Sequence, residues 1–164
     1  MRTSQIIEGP AGGIEAIFET PEQPVGGIAV LCHPHPQYGG SMHDAVVDVL
    51  RQTLIRAGVA TLRFNFRGVG ASAGSYSGSG GEAEDLAAVL NWVRDQYPED
   101  ALLLGGYSFG ASMAAEVASR FEVSRLILIA PPVGSMAVQA PDGNVPTDVF
   151  VGSADAFVDP AVLD

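Results

Sequence analysis

The turn at residues 106–110 constrains the fold of this chain more than any other part of its sequence. It reads Gly-Tyr-Ser-Phe-Gly, follows an apolar stretch at 101–105 that predicts a buried strand, and opens a predicted helix at 109–120. Gly106 and Gly110 have no side chains, so the backbone on either side of the turn can approach closely without clashes. Such a turn lifts the Ser108 hydroxyl above the sheet at a helix N-terminus, where free N–H groups favour negative charge. We interpret Ser108 as a nucleophile; a purely structural turn is the alternative.

The rest of the chain alternates apolar strands with amphipathic helices. Strands at 4–8 and 13–19 around a Gly-Pro-Ala-Gly turn predict an N-terminal hairpin. Further strands are predicted at 27–32, 59–64, 125–130 and 147–151, and further helices at 44–57 and from about residue 82. Continuous apolar runs such as 27–32 are typical of central parallel strands. The sequence therefore predicts one α/β domain over residues 1–164, with a mostly parallel sheet and helices on both faces.

Two residue pairs predict where helices begin. Ser41 with Asp44 resembles a capping pair for the helix at 44–57, and Ser79 with Glu82 forms a capping box for the next helix. The intervening glycine- and serine-rich loop contains Gly-Val-Gly-Ala-Ser-Ala at 68–73, which fits the glycine fingerprint of dinucleotide-binding folds. In those folds the helix begins inside the fingerprint. Because this helix begins later, we expect no cofactor.

Composition and charge exclude several function classes. The net charge of −11 argues against a nucleic-acid partner or an anionic membrane. All eight basic residues are arginine, so lysine-dependent phosphate loops and Schiff-base chemistry are excluded. Cys32 is the single cysteine, and the first residues lack the apolar stretch of a signal peptide. We expect a cytoplasmic protein.

The loop after the strand at 27–32 is the candidate oxyanion loop. In a strand–serine–helix turn of this kind, one oxyanion donor is the N–H of the residue after the serine, here Phe109, and the second comes from the loop after the third strand. That loop reads His-Pro-His-Pro-Gln-Tyr-Gly-Gly at 33–40. Because its two prolines have no N–H, His35 is the expected second donor, with Gln37 as the alternative.

The other polar candidates are the histidines and one acid. We expect His33 and His35 to shape the loop, with direct proton transfer as the alternative. A metal site formed by these two with His43 lacks metal-ligand spacing, so we expect none. Cys32 ends a buried strand and is expected in the core. Asp155 lies just beyond the last predicted strand, where an acid that orients a base is expected, although a surface acid is the alternative.

Four stretches of the chain resemble the small, lid-poor branch of the α/β-hydrolase superfamily, the dienelactone hydrolases and related esterases. They are residues 31–40, 61–72, 105–110 and 130–134, and they occur in family order. The resemblance implies Ser108 as nucleophile, the Phe109 and His35 N–H groups as the oxyanion hole and Asp155 as the triad acid. It also implies hydrolysis of a small-molecule ester or similar acyl bond through an acyl-enzyme, without a cofactor.

Two regions of the loops bear on the substrate. The short segment 131–146 takes the place of a large lid, which predicts an open pocket and small or exposed substrates. Val133 and Met136 are expected to line that pocket. We expect Asn65 and Arg67 to shape the loop beside the site, with a substrate-carboxylate role for Arg67 as the alternative.

The chain departs from the family pattern because no histidine follows Ser108. The superfamily order is serine, acid, histidine, and reaching that histidine takes about 25 further residues of helix and strand. We favour a fragment that lacks the last strand and helix; a disabled relative that binds rather than hydrolyses, or a partner chain that supplies the base, are the alternatives. The open edge at 149–151 would then suit a homodimer. Without a base, we predict activity several orders of magnitude below a complete enzyme.

Overall fold

The structure, a computed structural model, describes residues 1–78, 80–133, 143–153 and 155. Its strands are β1 (Arg2–Gly9), β2 (Gly12–Glu19), β3 (Ile28–Cys32), β4 (Ala60–Phe64), β5 (Leu102–Tyr107), β6 (Arg125–Ile129) and β7 (Thr147–Phe150). Its α-helices are α1 (Ala45–Arg56), α2 (Gly81–Gln96) and α3 (Phe109–Ala118). These elements match the predicted ones to within a few residues at each end.

The strands form one sheet in the order β1-β2-β4-β3-β5-β6-β7. The predicted hairpin of β1 and β2 is antiparallel, and β2 also pairs antiparallel with β4. All remaining pairs are parallel. The mostly parallel α/β sheet is therefore confirmed. Because β3 to β7 run in one direction, the loops that follow them all leave from the same edge of the sheet, which we call the carboxyl edge.

Apolar side chains bury both faces of this sheet. Along β3, Val30 belongs to the core under α2 and α3, whereas Leu31 belongs to the core under α1. Successive side chains of a strand point to opposite faces, so helices cover both faces, as predicted. This two-sided burial explains why β3 reads as a continuous apolar run: every one of its residues is buried.

The helix starts differ from the predicted capping pairs. The Asp44 carboxylate is itself the N-cap of α1 and accepts hydrogen bonds from the N–H groups of Val46 and Val47, whereas Ser41 lies before the helix. Helix α2 begins after Gly80, whose φ of 95° turns the chain without a side-chain cap. The predicted capping box is wrong, because Glu82 instead accepts hydrogen bonds from the N–H and hydroxyl of Ser77. Ser79 lies outside the described residues.

Strand β7 has β6 as its single neighbour within the described residues. Three apolar side chains lie exposed at its end: Val149, Phe150 and Val151, with exposed fractions of 41%, 58% and 37%. Pairing of two copies through this edge stays a prediction. Within the described part of the chain, no helix is both long and apolar enough to cross a membrane.

Candidate active site

Ser108 occupies a strained turn between β5 and α3. Its backbone has φ 52° and ψ −116°, a conformation that L residues rarely adopt. The Ser108 N–H donates to the carbonyl of Ile129 at 2.9 Å, and the Ser108 carbonyl accepts from the N–H groups of Ala111 and Ser112 at 2.9 and 3.2 Å. Strain of this kind persists only where the surroundings hold it. Bonds from β6 and from the first turn of α3 hold it here.

The two glycines of the turn are required by close backbone contacts. A Cβ atom on Gly106 would lie 2.2 Å from the carbonyl oxygen of Gly110, so any side chain there would separate β5 from α3. Gly110 in turn lies against the carbonyl groups at the end of β3. The Gly-x-Ser-x-Gly spacing therefore packs the start of α3 against both neighbouring strands.

The loop after β3 lies beside this turn. Cys32 pairs with Gly106 in the parallel register of β3 and β5, so the two connections leave neighbouring strands at the same level. The His35 carbonyl accepts hydrogen bonds from the N–H groups of Tyr38 and Gly40, both at 3.1 Å, which close the loop. The loop thus brings His35 to the carboxyl edge next to the serine turn.

Two backbone N–H groups at this junction are available to a ligand. The N–H of Gln37 donates to Nδ1 of His35 at 3.2 Å and is therefore occupied. The N–H groups of His35 and Phe109 have no acceptor among the described residues. Within the described residues, the two donors expected from the sequence, His35 and Phe109, are therefore unbonded, whereas the alternative donor, Gln37, is bonded.

His33 is fully buried and bonded at both ring nitrogens. Its Nε2 accepts from the N–H of Phe66 at 3.1 Å, so the ring proton lies on Nδ1, which donates to the Pro34 carbonyl at 2.6 Å. Burial lowers the pKa of His33 to about 4. The ring is therefore neutral near pH 7 and ties the loop after β3 to the loop after β4.

The His35 ring has the opposite tautomer. Because Nδ1 accepts from Gln37, the proton of the neutral ring lies on Nε2, 3.1 Å from the hydroxyl of Tyr76. The ring contacts the Phe109 ring, with centroids 5.0 Å apart. Burial lowers the pKa of His35, and the charge of Glu82 partly offsets that effect. His43, the third histidine, is exposed just before α1.

The remaining predicted site residues follow β6 and β7. Val133 is half-buried, and its N–H donates to the Pro131 carbonyl at 2.8 Å. Asp155 is half-buried in a turn beyond β7, where its N–H donates to the Gly152 carbonyl at 3.1 Å. Both lie beyond the carboxyl ends of their strands, as Ser108 does. Met136 lies outside the described residues.

Asn65 and Arg67 shape the loop after β4, as predicted, but sequence reasoning missed the residues that they bind. Arg67 donates to the fully buried Asp85 of α2 from its N–H, Nε and Nη2, at 3.0, 3.0 and 2.7 Å. Asn65 accepts from the Met42 N–H at 2.8 Å and donates to Glu15 at 2.7 Å. Both side chains therefore shape this loop, and the Arg67 guanidinium is already bound by a carboxylate.

Two other features take no part in the candidate site. The Cys32 thiol is fully buried, and burial raises its pKa, so it packs in the core as expected and is not a reactive thiolate. A cavity of about 750 Å³ lies at the opposite edge of the sheet, lined by residues 21–25 and 55–58. None of the candidate site residues lines that cavity.

Comparison with known proteins agrees with this architecture. Residues 30–161 match the family model of the alpha/beta hydrolase fold, and the chain therefore belongs to this family. A lidless a/b serine hydrolase from Xanthomonas campestris is 40% identical, with a TM-score of 0.90 over 99% of this chain and 76% of that one. An alpha-beta serine hydrolase homologue from Coxiella burnetii is 38% identical, with a TM-score of 0.91 over 98% and 78% of the two chains.

An uncharacterized protein of Rickettsia prowazekii is 38% identical over 132 residues, which cover 79% of this chain. The match covers 56% of that protein, so the chain spans little more than half the length of this relative.

Proposed function

We propose that this protein is a serine hydrolase that cleaves a carboxylic ester, or a similar acyl bond, of a small-molecule substrate through an acyl-enzyme and without a cofactor. The observation that carries the proposal is the junction of β3 and β5, where strained Ser108 lies beside the available N–H groups of Phe109 and His35. The similarity to two serine hydrolase structures at about 40% identity supports the same chemistry.

The reaction follows from these groups. The Ser108 hydroxyl oxygen attacks the acyl carbon while a base takes its proton, and the carbonyl oxygen becomes an oxyanion. The N–H groups of Phe109 and His35 bind that oxyanion, whose charge is absent from the bound ester and develops in the transition state and the tetrahedral intermediate. Collapse of the tetrahedral intermediate expels the alcohol, which takes the proton from the base. Water then attacks the acyl-enzyme in the same way and releases the acid.

We propose that the base comes from outside the 164 residues, because His43 is exposed just before α1 and the other two histidines are already bonded. Both ring nitrogens of His33 are bonded to the backbone, and those of His35 are bonded to Gln37 and Tyr76. We propose a histidine oriented by Asp155 and supplied either by further residues of the gene product or by a partner chain. The hydrogen bonds that already occupy His33 and His35 also favour a second candidate, a disabled member of the family that binds acyl compounds without hydrolysing them.

Hydrolysis of p-nitrophenyl acetate and butyrate by the complete gene product tests the proposal. Ser108→Ala is expected to lower kcat by about 10³-fold or more, because triad members act as a unit. Ser112→Ala is the matched control: Ser112 lies one turn further along α3, is buried, and its hydroxyl has no hydrogen-bond partner among the described residues. Equal rates for the wild type and Ser108→Ala would contradict the proposal. Ester binding without turnover, unaffected by Ser108→Ala, would favour the binding protein.

The acyl pocket is expected to lie over the ends of β5 and β6. We propose that Val133 and Met136 contact the acyl group, and that the short segment 131–146 leaves the pocket open. A series of p-nitrophenyl esters of increasing acyl length tests this: kcat/KM is expected to be highest for short chains, and Val133→Ala is expected to extend the accepted length.

A further inference from the structure

The His35 ring joins the candidate oxyanion loop to a residue far along the chain. Its Nδ1 accepts the Gln37 N–H at 3.2 Å within the loop, and its Nε2–H donates to the Tyr76 hydroxyl at 3.1 Å. Tyr76 lies in the loop between β4 and α2, 41 residues after His35. The two bonds fix the ring in both its rotation and its tautomer, because each nitrogen has one partner.

Tyr76 is held in place by contacts on both sides of it. Ala73, three residues before it, donates its N–H to the Gly13 carbonyl of the β1–β2 hairpin at 2.8 Å. Ser77, the residue after it, donates its N–H to the buried Glu82 carboxylate of α2 at 2.8 Å. The Tyr76 ring contacts the His35 ring, with centroids 4.9 Å apart. The hydroxyl is thus presented to His35 from a fixed backbone.

We propose that Tyr76 is a positioning residue for the oxyanion hole. Its hydroxyl and the Gln37 N–H hold the His35 ring from two sides, and the ring in turn holds the backbone N–H of His35 in line for the oxyanion. This role rests on the proposed function. Since the oxyanion exists only in the transition state and intermediate, loss of the Tyr76 hydroxyl lowers kcat and leaves KM unchanged.

Tyr76→Phe in the complete gene product tests the role. This variant keeps the ring contacts and removes the hydrogen bond to His35. Because one hydrogen bond is lost, we expect kcat to fall by about threefold to tenfold with KM unchanged. His35→Asn retains an acceptor near Nδ1 for the Gln37 N–H but does not reach Tyr76 and also loses the ring contacts, so it is expected to lower kcat at least as much. The kcat of the double variant is expected to be no lower than that of His35→Asn alone, because both changes remove the same hydrogen bond between His35 and Tyr76. Tyr97→Phe, at the opposite edge of the sheet beside Phe18, is the control.

Nitrogen-15 spectra of the histidine rings provide a readout besides activity. In the wild type, His35 is expected to show a protonated Nε2 and an unprotonated Nδ1, and Tyr76→Phe is expected to shift the Nε2 resonance while leaving His33 unchanged. An unchanged kcat in Tyr76→Phe, where Ser108→Ala abolishes hydrolysis, would overturn the positioning role alone. Hydrolysis that does not depend on Ser108 would overturn the proposed function and this role with it.

Discussion

A Cβ atom on Gly110 would lie 2.3 Å from the carbonyl oxygen of Cys32, well inside any contact that real side chains make. The start of α3 therefore lies directly against the end of β3. This contact sets the distance between Phe109, which follows the serine, and the loop that carries His35. The geometry of the proposed oxyanion hole therefore depends on Gly110, the residue after Phe109.

Replacing Gly110 by alanine should push α3 away from β3. Overpacking of this kind costs about 1–3 kcal/mol of the free energy of unfolding, and the displaced donors should lower kcat as well. Urea unfolding and ester hydrolysis measure both effects. Gly143→Ala is the matched control, because a Cβ on Gly143 meets no atom within 4 Å. Wild-type stability and kcat in Gly110→Ala would contradict the contact.

Burial of neutral His33 should make stability depend on pH. Its pKa is lowered from 6.5 to about 4 in the folded chain, so between these values the unfolded chain binds a proton that the folded chain does not. The free energy of unfolding is therefore highest above pH 6.5 and falls as the pH is lowered from 6.5 towards 4. The loss due to His33 is about 2 kcal/mol at pH 5.

Urea unfolding of the wild type and of His33→Gln at pH 7 and pH 5 isolates this effect. The carboxylates titrate in both proteins, so the difference between them comes from His33. The wild type is expected to lose more stability than the variant on going to pH 5. If His33→Gln does not fold, an NMR titration of the His33 ring protons replaces it. A midpoint near 6.5 in the folded protein would contradict the buried, doubly bonded ring.

The sequence was sufficient to predict the strands, helices and serine turn, because each depends on local pattern. Apolar runs give β3 and β5, and the glycine spacing around Ser108 gives the turn. The missed contacts join residues that are distant in sequence: His35 with Tyr76, and Arg67 with Asp85. No periodicity links such positions. The cap of α2 was wrong for a related reason, since Glu82 binds Ser77 rather than a residue at the helix start.

The buried pair of Arg67 and Asp85 should contribute far more stability than its exposed neighbour. Asp85→Asn removes the charge that three donors of Arg67 bind, and breaking a buried pair costs about 3–5 kcal/mol. Glu84→Gln, on the same turn of α2, breaks the exposed pair with Arg120 and should cost less than about 1 kcal/mol. Thermal unfolding of both variants measures the difference. Equal losses would show that burial does not strengthen the Arg67 pair.

Reaction of the complete gene product with a fluorophosphonate tests whether Ser108 is a nucleophile, because this reagent forms a covalent bond with an activated serine. Intact mass and peptide mapping identify the modified residue. We expect one adduct, on Ser108, and none in Ser108→Ala. The absence of any adduct in the wild type, or an adduct on another residue that persists in Ser108→Ala, would contradict that expectation.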